Sequence, residues 1–549
     1  MRKSRYITIR LTRPLGFLML LLAAGTGACK KRDPVIHSLN PRIGVMGEVL
    51  SITGENFGPK RNESYVTIAG TAPTSFSYLE WQDGLITLRI PEFGEPGLVY
   101  VHVEGKKSNG ALFSNEAVIP KPVQGPDIGI GPRIVSVDPQ SGTTGTLVTI
   151  TGSGFGGSRE GSGVYFSWNA ESSPSTPVDI GLPEPVEVFE TEFGYELWSE
   201  REIRVRVPDG AISGNLEVRT LRGNSRPFYF DVSGKPGTKT FRDKRSYTFS
   251  YAVNIKINEA DKPNALYLWV PQPVTSAAQR NTGLLSRNTE PFVENYRGTS
   301  LFQLNDLVSG AGEEIQVSYL VEVYSQETAV KIQSIKEEKS PMASVYTQPS
   351  PLVPSEDPRI KAQAAALLGR ERNPYIKAQR IYEWLISEGN IQTEVLNCGA
   401  LEALEEKQGD SYTAALLFCA LARAAGVPAI PAAGVLVDRN RQVIRHYWAE
   451  FWIDGFGWIP LDPALGAGAA PDSFNLKQDR EAYYFGNLDN QRITFSRGER
   501  TLSQMDPRGR AAAHPRSYAL QNLWEEAAGG LESYSSLWGD VTITGMYVQ

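Results

Sequence analysis

Sulfur and imidazole are scarce in this sequence: three Cys and four His in 549 residues. Two thiols beyond residue 29 make no disulfide framework, so Cys398 and Cys419 read as small buried hydrophobes. No His, Cys or Asp cluster has ligand spacing, which argues against a metal site. No cofactor fingerprint is present either. Gly152-Ser153-Gly154-Phe155-Gly156 sits in a β repeat and lacks the strand-to-helix context of a phosphate-binding loop. No apolar run approaches the ~20 residues of a membrane-spanning helix. Positive charge is in deficit as well. The 55 Lys and Arg against 61 Asp and Glu leave −6; without the five bases of residues 1–28 the balance is 50 − 61 = −11. An acidic chain binds polyanions poorly, so nucleic acid is not an expected partner.

What is present is ample core-forming material (41% hydrophobic) with 52 Gly and 36 Pro, a mix that excludes a disordered tail, a coiled coil or a collagen-like fibre. At about 150 residues per domain the length predicts three or four domains, and the Gly and Pro content favours turn-rich β structure.

The first residues read as an export signal. Arg2, Lys3, Arg5, Arg10 and Arg13 precede an apolar run, Leu15 to Ala24, and the small residues Gly25 to Ala28 lead into Cys29. Residues 1–28 resemble a bacterial lipoprotein signal, which implies that Cys29 is lipidated and becomes the mature N-terminus. Thr26 and the following Lys30-Lys31-Arg32 depart from the usual pattern, and an ordinary secretory signal with an incidental Cys is the alternative. The expected location is the bacterial cell envelope, with the membrane a partner through the lipid.

A repeat fills the first half. Ile36, Pro41, Gly44, Gly47, Ile52, Gly54, Phe57 and Gly58 return 98 residues later as Ile134, Pro139, Gly142, Gly145, Ile150, Gly152, Phe155 and Gly156. Trp81, Ile86, Arg89, Pro91 and Gly97 return 117 residues later as Trp198, Ile203, Arg206, Pro208 and Gly214. The second copy therefore carries 117 − 98 = 19 extra residues, in the Ser/Pro/Glu-rich stretch after Trp168, as a surface loop would. Alternating runs such as Val148 to Thr151 and Ile203 to Val207 predict short half-buried strands, and several per unit predict a small antiparallel sandwich. The pattern resembles the IPT/TIG family of immunoglobulin-like domains over residues 34–120 and 132–232, which implies an interaction or spacer role without catalysis. Lys121 to Pro132 reads as a linker. Residues 239–330 are again strand-like without the glycine signature, and predict a third β-sandwich.

Helical spacing begins near Asp357. The informative block opens with Gly409-Asp410-Ser411, continues as an Ala/Leu-rich helix, and closes at Gly426 with Pro428 beyond. His446-Tyr447-Trp448-Ala449-Glu450, Gly455-Phe456-Gly457-Trp458 and Leu461-Asp462-Pro463 follow, as two strands joined by a glycine turn. This ordered set, within residues 350–500, resembles the transglutaminase-like superfamily, whose core is related to papain-like thiol proteases. The resemblance implies a multidomain chain of all-β sandwiches followed by an α+β domain, and a Cys-His-Asp triad for acyl transfer on amides.

Ser411 stands where that family has its nucleophilic Cys. Cys419 lies two helical turns deeper and cannot substitute. A thiol starting near pKa 8.5 ionises readily at a helix N-terminus, whereas a hydroxyl needs a true general base. Three readings of Ser411, His446 and Asp462 stay open. They form a degenerate site binding a peptide or protein, or an active Ser-His-Asp amide hydrolase or acyltransferase, or ordinary structure in a surface scaffold, with Ser411 a helix cap and Asp462 a turn former. Trp448, Trp452 and Trp458 read as core or cleft wall, and Glu402, Glu405 and Glu406 as a solvated helix face. Ile493 to Ser496, with Tyr483 to Asn490 before it, predicts a closing strand. In the C-terminal extension 501–549 a helix is expected near Leu520 to Leu531, with no function assigned.

Overall fold

The structure, a computed structural model, describes residues 33–91, 97–115, 131–159, 161–170, 184–336, 341–396 and 398–548. The export signal, Cys29, most of the Lys121–Pro132 linker and residues 171–183 of the 19-residue insertion lie outside these.

Each repeat folds as two facing sheets, antiparallel except for one short parallel edge pair, Ile43–Gly44 on Ala111–Asn115 and Ser141–Gly142 on Phe228–Val232. In the first, Val35–Asn40, Val49–Glu55, Leu85–Arg89 and Tyr78–Trp81 lie side by side; in the second, Arg133–Asp138, Leu147–Ser153, Glu202–Arg206 and Tyr195–Trp198 take the same order. The register is duplicated too: Ile52 faces Ile86 as Ile150 faces Ile203. The repeated Trp has one job in both copies. Trp81 Nε1 donates to the Phe57 carbonyl at 2.9 Å, and Trp198 Nε1 to that of Phe155 at 3.2 Å, closing the turn that ends the second strand. The repeated Gly beside it is fixed by space. A Cβ on Gly54 would sit 2.0 Å from the Val35 carbonyl oxygen, and one on Gly152 would sit 2.1 Å from that of Arg133.

The region after the repeats differs from a separate third sandwich. It is one eight-stranded sheet wound around a single 35-residue strand, Gly237–Pro271. The first part of this strand pairs with Gly312–Val330, and its last part with Thr299–Asn305. Every second residue from Tyr247 to Ile257 is buried, the period-two pattern of a strand with one wet face. The extension completes this sheet. Glu525–Trp538 pairs with residues 253–268 and Thr542–Val548 with residues 245–250. The helix expected near Leu520 to Leu531 is therefore a strand. Its Gly529, at φ +64°, and Gly530 lie against the long strand where it kinks, and Cβ atoms there would come within 2.4 Å of the Pro263 and 2.2 Å of the Asp261 carbonyl oxygens.

From residue 358 on, four helices precede the sheet of the C-terminal domain: α1 (Pro358–Leu368), α2 (Pro374–Glu388), α3 (Ala400–Glu406) and α4 (Ser411–Ala424). Asp357 and Asn373 cap α1 and α2, each with Pro in the first turn. The sheet runs β3-β2-β1-β4, from β1 (Ala429–Val437), β2 (Val443–Ile453), β3 (Gly457–Leu461) and β4 (Arg492–Arg497). The expected closing strand is β4; Tyr483 to Asn490 instead crosses as a short helix end and two isolated bridges. Val435, Val437, Ile493 and Phe495 share one core with Tyr247, Phe249 and Tyr251, so the long-strand sheet and this domain pack as one body. Among the described residues no helix is long and apolar enough to cross a membrane.

Candidate functional site

Helix α4 positions the site. Residues 412–422 are all buried, the signature of a helix enclosed on every side. Its N-cap is Asp410 and not Ser411. One Asp410 oxygen accepts from Thr413 N at 2.9 Å, while Thr413 Oγ1 accepts from Asp410 N at 2.9 Å, a reciprocal capping pair. The other oxygen accepts from Leu396 N at 2.9 Å and from the Arg516 guanidinium, which also donates to the Cys398 carbonyl and lies 4.4 Å over the Tyr412 ring. Ser411 is the first helical residue, half-buried, so the cap role weighed for it belongs to its neighbour.

Strand β2 runs alongside α4 in the same direction. The Tyr412 ring is 4.9 Å from Tyr447, and Phe418 is 6.3 Å from Phe451. Ser411 and His446 thus occupy the same end of the helix-strand pair. Tyr447, Ala449, Phe451 and Ile453 pack toward α4. His446 alternates with them and shares its side of the strand with Trp448, the two rings 6.3 Å apart and nearly parallel.

His446 and Asp462 are brought together. Nε2 of the buried imidazole is 2.8 Å from Asp462 Oδ2. Because the carboxylate can only accept, Nε2 carries the hydrogen, and in the neutral ring Nδ1 holds the basic lone pair. Asp462 is fully enclosed and held on all sides: Arg492 Nη1 donates to Oδ2 at 3.1 Å, and Leu465 N to Oδ1 at 3.0 Å, capping α5 (Pro463–Ala467). Burial alone would raise its pKa, but His446, Arg492 and the Leu465 amide outweigh it and hold the carboxyl below its ordinary range. Arg492 in turn donates to Asp489 at 3.0 Å and lies 5.0 Å over the Trp448 ring.

Ser411 is not joined to this pair: among the described residues no hydrogen bond links its hydroxyl to His446. A cavity of about 40 Å³ lies behind Trp448, walled by Glu450, Trp458, Arg492 and Gln279. Ser411 and His446 do not line it. Among the described residues no group of three or more His, Cys, Asp or Glu is placed to hold a metal ion. Cys419 sits inside the helix bundle, where burial pushes its thiol up to about 12. We expect Cys419 to resist iodoacetamide at pH 8 in the folded protein and to label fully in urea. Labelling of the native chain at residue 419 on the minutes timescale would contradict this burial.

Two basic residues escaped the sequence reading. Arg492 holds Asp462, and Arg497 joins Glu450 at 2.6 Å to Glu192 of the second repeat. Their trace in the sequence is an Arg at each end of an alternating strand pattern, Ile493-Thr494-Phe495-Ser496. Glu450, the acid of the His-x-Trp-x-Glu block, is thereby a structural anchor.

Residues 361–463 match the transglutaminase-like superfamily, and residues 34–117 and 132–233 each match the IPT/TIG domain. The chain carries two IPT/TIG domains followed by a transglutaminase-like domain. An uncharacterized protein of Haemophilus influenzae is 24% identical over 304 residues, covering 46% of this chain and 79% of that protein. Among solved structures, a cysteine-protease-like protein of Cytophaga hutchinsonii is 17% identical over 57% of this chain and 92% of its own, with a TM-score of 0.34. SGBP-B of Bacteroides uniformis, from a xyloglucan utilization locus, is 12% identical over 54% of this chain and 99% of its own, with a TM-score of 0.14. Scores of this size carry no argument about ligand or activity. The α/β core of the transglutaminase-like domain, with α4 against β2, is the part of the chain that holds Ser411, His446 and Asp462.

Proposed function

We propose that this is an exported, lipid-anchored envelope protein whose transglutaminase-like domain binds peptide or protein segments and is degenerate at its nucleophile, Ser411. One observation carries the reading. The acid-base arm, His446 on Asp462, is kept in hydrogen-bonded order at the core of the domain, while the hydroxyl at the family's thiol position makes no bond to it. Chemistry points the same way. Attack by Ser411 Oγ on an amide carbonyl requires its proton to pass to His446 Nδ1 as the bond forms, because no serine counterpart of a stored thiolate-imidazolium pair exists. Without a preset hydroxyl-imidazole contact that step has no prepared geometry. The anchor rests on Cys29 and the basic-apolar-small order of residues 1–28.

The ring orientation that Asp462 sets, with the hydrogen on Nε2, favours a rival reading, an active Ser411-His446-Asp462 amide hydrolase or acyltransferase. A paired assay separates the two. Native protein and Ser411→Cys are given a glutamine-containing peptide and an amine acceptor. We expect acyl transfer from Ser411→Cys alone, with the peptide bound by both forms. Native turnover that disappears in Ser411→Ala would overturn degeneracy. Incorporation of labelled palmitate, compared with Cys29→Ala, tests the anchor.

A further inference from the structure

The second IPT/TIG domain meets the transglutaminase-like domain where Phe193 packs into the cluster of Trp452, Trp458 and Ile430. Beside that contact a lysine and an aspartate are closed off from water together. Asp209 follows strand Glu202–Arg206 in the turn Val207-Pro208-Asp209-Gly210, and Lys239 is the third residue of the long strand Gly237–Pro271. Lys239 Nζ donates to Asp209 Oδ1 at 2.5 Å and to the Trp458 carbonyl at 2.7 Å, and lies 5.2 Å from the centre of the Phe456 ring. Both side chains are 8% exposed. Gly457, at φ +97°, presses on the carboxylate so closely that an added Cβ would come within 2.2 Å of Oδ1.

Pairs of the same chemistry elsewhere on the chain are wet. Lys106 with Asp33 and Lys361 with Glu356 keep every side chain at 41% exposure or more. Around Asp209 the surroundings act on amines differently. Lys235 stands near the pair, and burial brings its amine down to about 8 although the Asp209 charge works the other way. A buried ion pair is costly to keep, because each charge has given up its hydration. Moving one proton across the Nζ to Oδ1 contact leaves a neutral amine against a neutral acid, and that pair is a nucleophile aimed at a carboxyl carbon. Cγ lies one bond beyond Oδ1, which brings it close to the ~3–3.5 Å of a near-attack pair, held there by the fold.

We propose that Lys239 and Asp209 condense in the folded chain, forming an amide bond between Nζ and Cγ. The atoms balance without a co-reactant. Nζ bonds to Cγ, the bond from Cγ to one carboxyl oxygen breaks, and that oxygen leaves as water. The first proton passes from the ammonium to the carboxylate, the second leaves the nitrogen with the departing hydroxyl, and the third stays as the amide hydrogen facing the Trp458 carbonyl. The cavity of about 40 Å³ that Asp209 lines with Glu450 and Arg497 is large enough to receive the water. The product exchanges two buried charges for one neutral amide, which removes the desolvation cost that the ion pair carries. It also ties the second IPT/TIG domain to the strand that leads into the next sheet, independently of whether Ser411 is competent.

Peptide mapping of the purified full chain, unfolded only for digestion, tests the bond. Trypsin releases Asp209 within residues 207–219 and, by cutting after a free Lys239, residues 223–239. An acylated lysine resists that cut. The expected product is a single branched peptide of residues 207–219 and 223–242, lighter than the two together by the mass of one water, with fragmentation placing the branch at Lys239. Cleavage after Lys106 and Lys361 should proceed as usual. Lys239→Arg keeps a cation beside Asp209 but not the nucleophilic amine, and should abolish the branched product completely while the chain stays folded by circular dichroism. Residues 207–219 and 223–239 recovered separately at full mass from the native chain, a branch at Lys235, equal linkage at Lys106 or Lys361, or a branched product that persists in Lys239→Arg would each overturn the proposal.

Discussion

Replacing Arg497 by Met should destabilise the folded chain by roughly 3–5 kcal/mol, the cost of removing the shared partner of two largely buried carboxylates. Arg497 holds Glu450 through Nε at 3.0 Å and Nη2 at 2.6 Å, and Glu192 on the other side through Nη1. Side-chain exposures of 11%, 10% and 17% for Arg497, Glu450 and Glu192 leave little water to take over the task. Met keeps the length and the apolar stem, so the loss isolates the charge. Burial already raises the Glu192 carboxyl above its ordinary range despite Arg497, which marks a site where an unpaired anion is poorly tolerated. The effect should be directional as well as large. Glu192 belongs to the second repeat and Glu450 to β2, so the substitution should loosen the docking of Phe193 against Trp452 and Trp458 before the rest unfolds. Urea unfolding followed by tryptophan fluorescence and by far-UV circular dichroism should separate into two transitions in Arg497→Met and coincide in the native chain. Adding Glu450→Gln to Arg497→Met should restore part of the loss, because one stranded carboxylate is then neutral. A change below about 1 kcal/mol, within the range of an exposed ion pair, would show that the network is solvated.

Legibility in the sequence followed the range of the interaction. The repeats could be read because their determinants are local. Gly54 and Gly152 are required by a carbonyl about twenty residues away, and Trp81 and Trp198 cap turns within the same unit. Helix α4 was likewise readable from its stop at Gly426 and its start at Gly409-Asp410; Asp410 is the cap, and Ser411, a cap only in the ordinary-structure reading, is the first helical residue. The strand Glu525–Trp538 was not readable in that way. Leu520, Leu523 and Leu531 imitate a helical spacing, and only the Gly529-Gly530 pair, costly in a helix at about 1 kcal/mol each, argued otherwise. Its partner strand lies more than 250 residues earlier, and long-range pairing overrode local pattern. The site's cations were hidden because an Arg in a sequence reads as surface: Arg497 is drawn inward by carboxylates 47 and 305 residues away, and Arg492 by Asp462, 30 residues away, beside the nearby Asp489. His446 and Asp462 stood out because the spacing that joins them, sixteen residues around a glycine turn, is written in one hairpin.

Arg492→Met carries the other large expected effect, and its pH dependence distinguishes it from any loss of packing. In the native chain Asp462 is held below its ordinary pKa of about 3.9, so its ionised form stabilises the fold. That contribution is fully present above about pH 4 and is lost as pH falls through the lower, folded value. Arg492 is the one full cation bonded to both Asp462 and Asp489, at 3.1 Å and 3.0 Å, and all three side chains are at most 2% exposed. Without it, burial of Asp462 is opposed only by His446 and the Leu465 amide, so its folded pKa should rise from the lowered native value and the contribution of its ionised form should shrink. At pH 7 the variant should be weaker than native by roughly 3–5 kcal/mol. At pH 3 the deficit should shrink to less than half, because the variant's Asp462, no longer lowered by Arg492, takes up its proton at a higher pH than the native carboxyl does. Urea midpoints of the two proteins at both pH values measure this. A deficit that stays constant would mean Arg492 acts through its stacking on Trp448 and not through charge. A deficit that narrows would tie the orientation of His446 to a cation at the first residue of the strand that closes the sheet, since Asp462 can fix the Nε2 hydrogen only while it remains ionised.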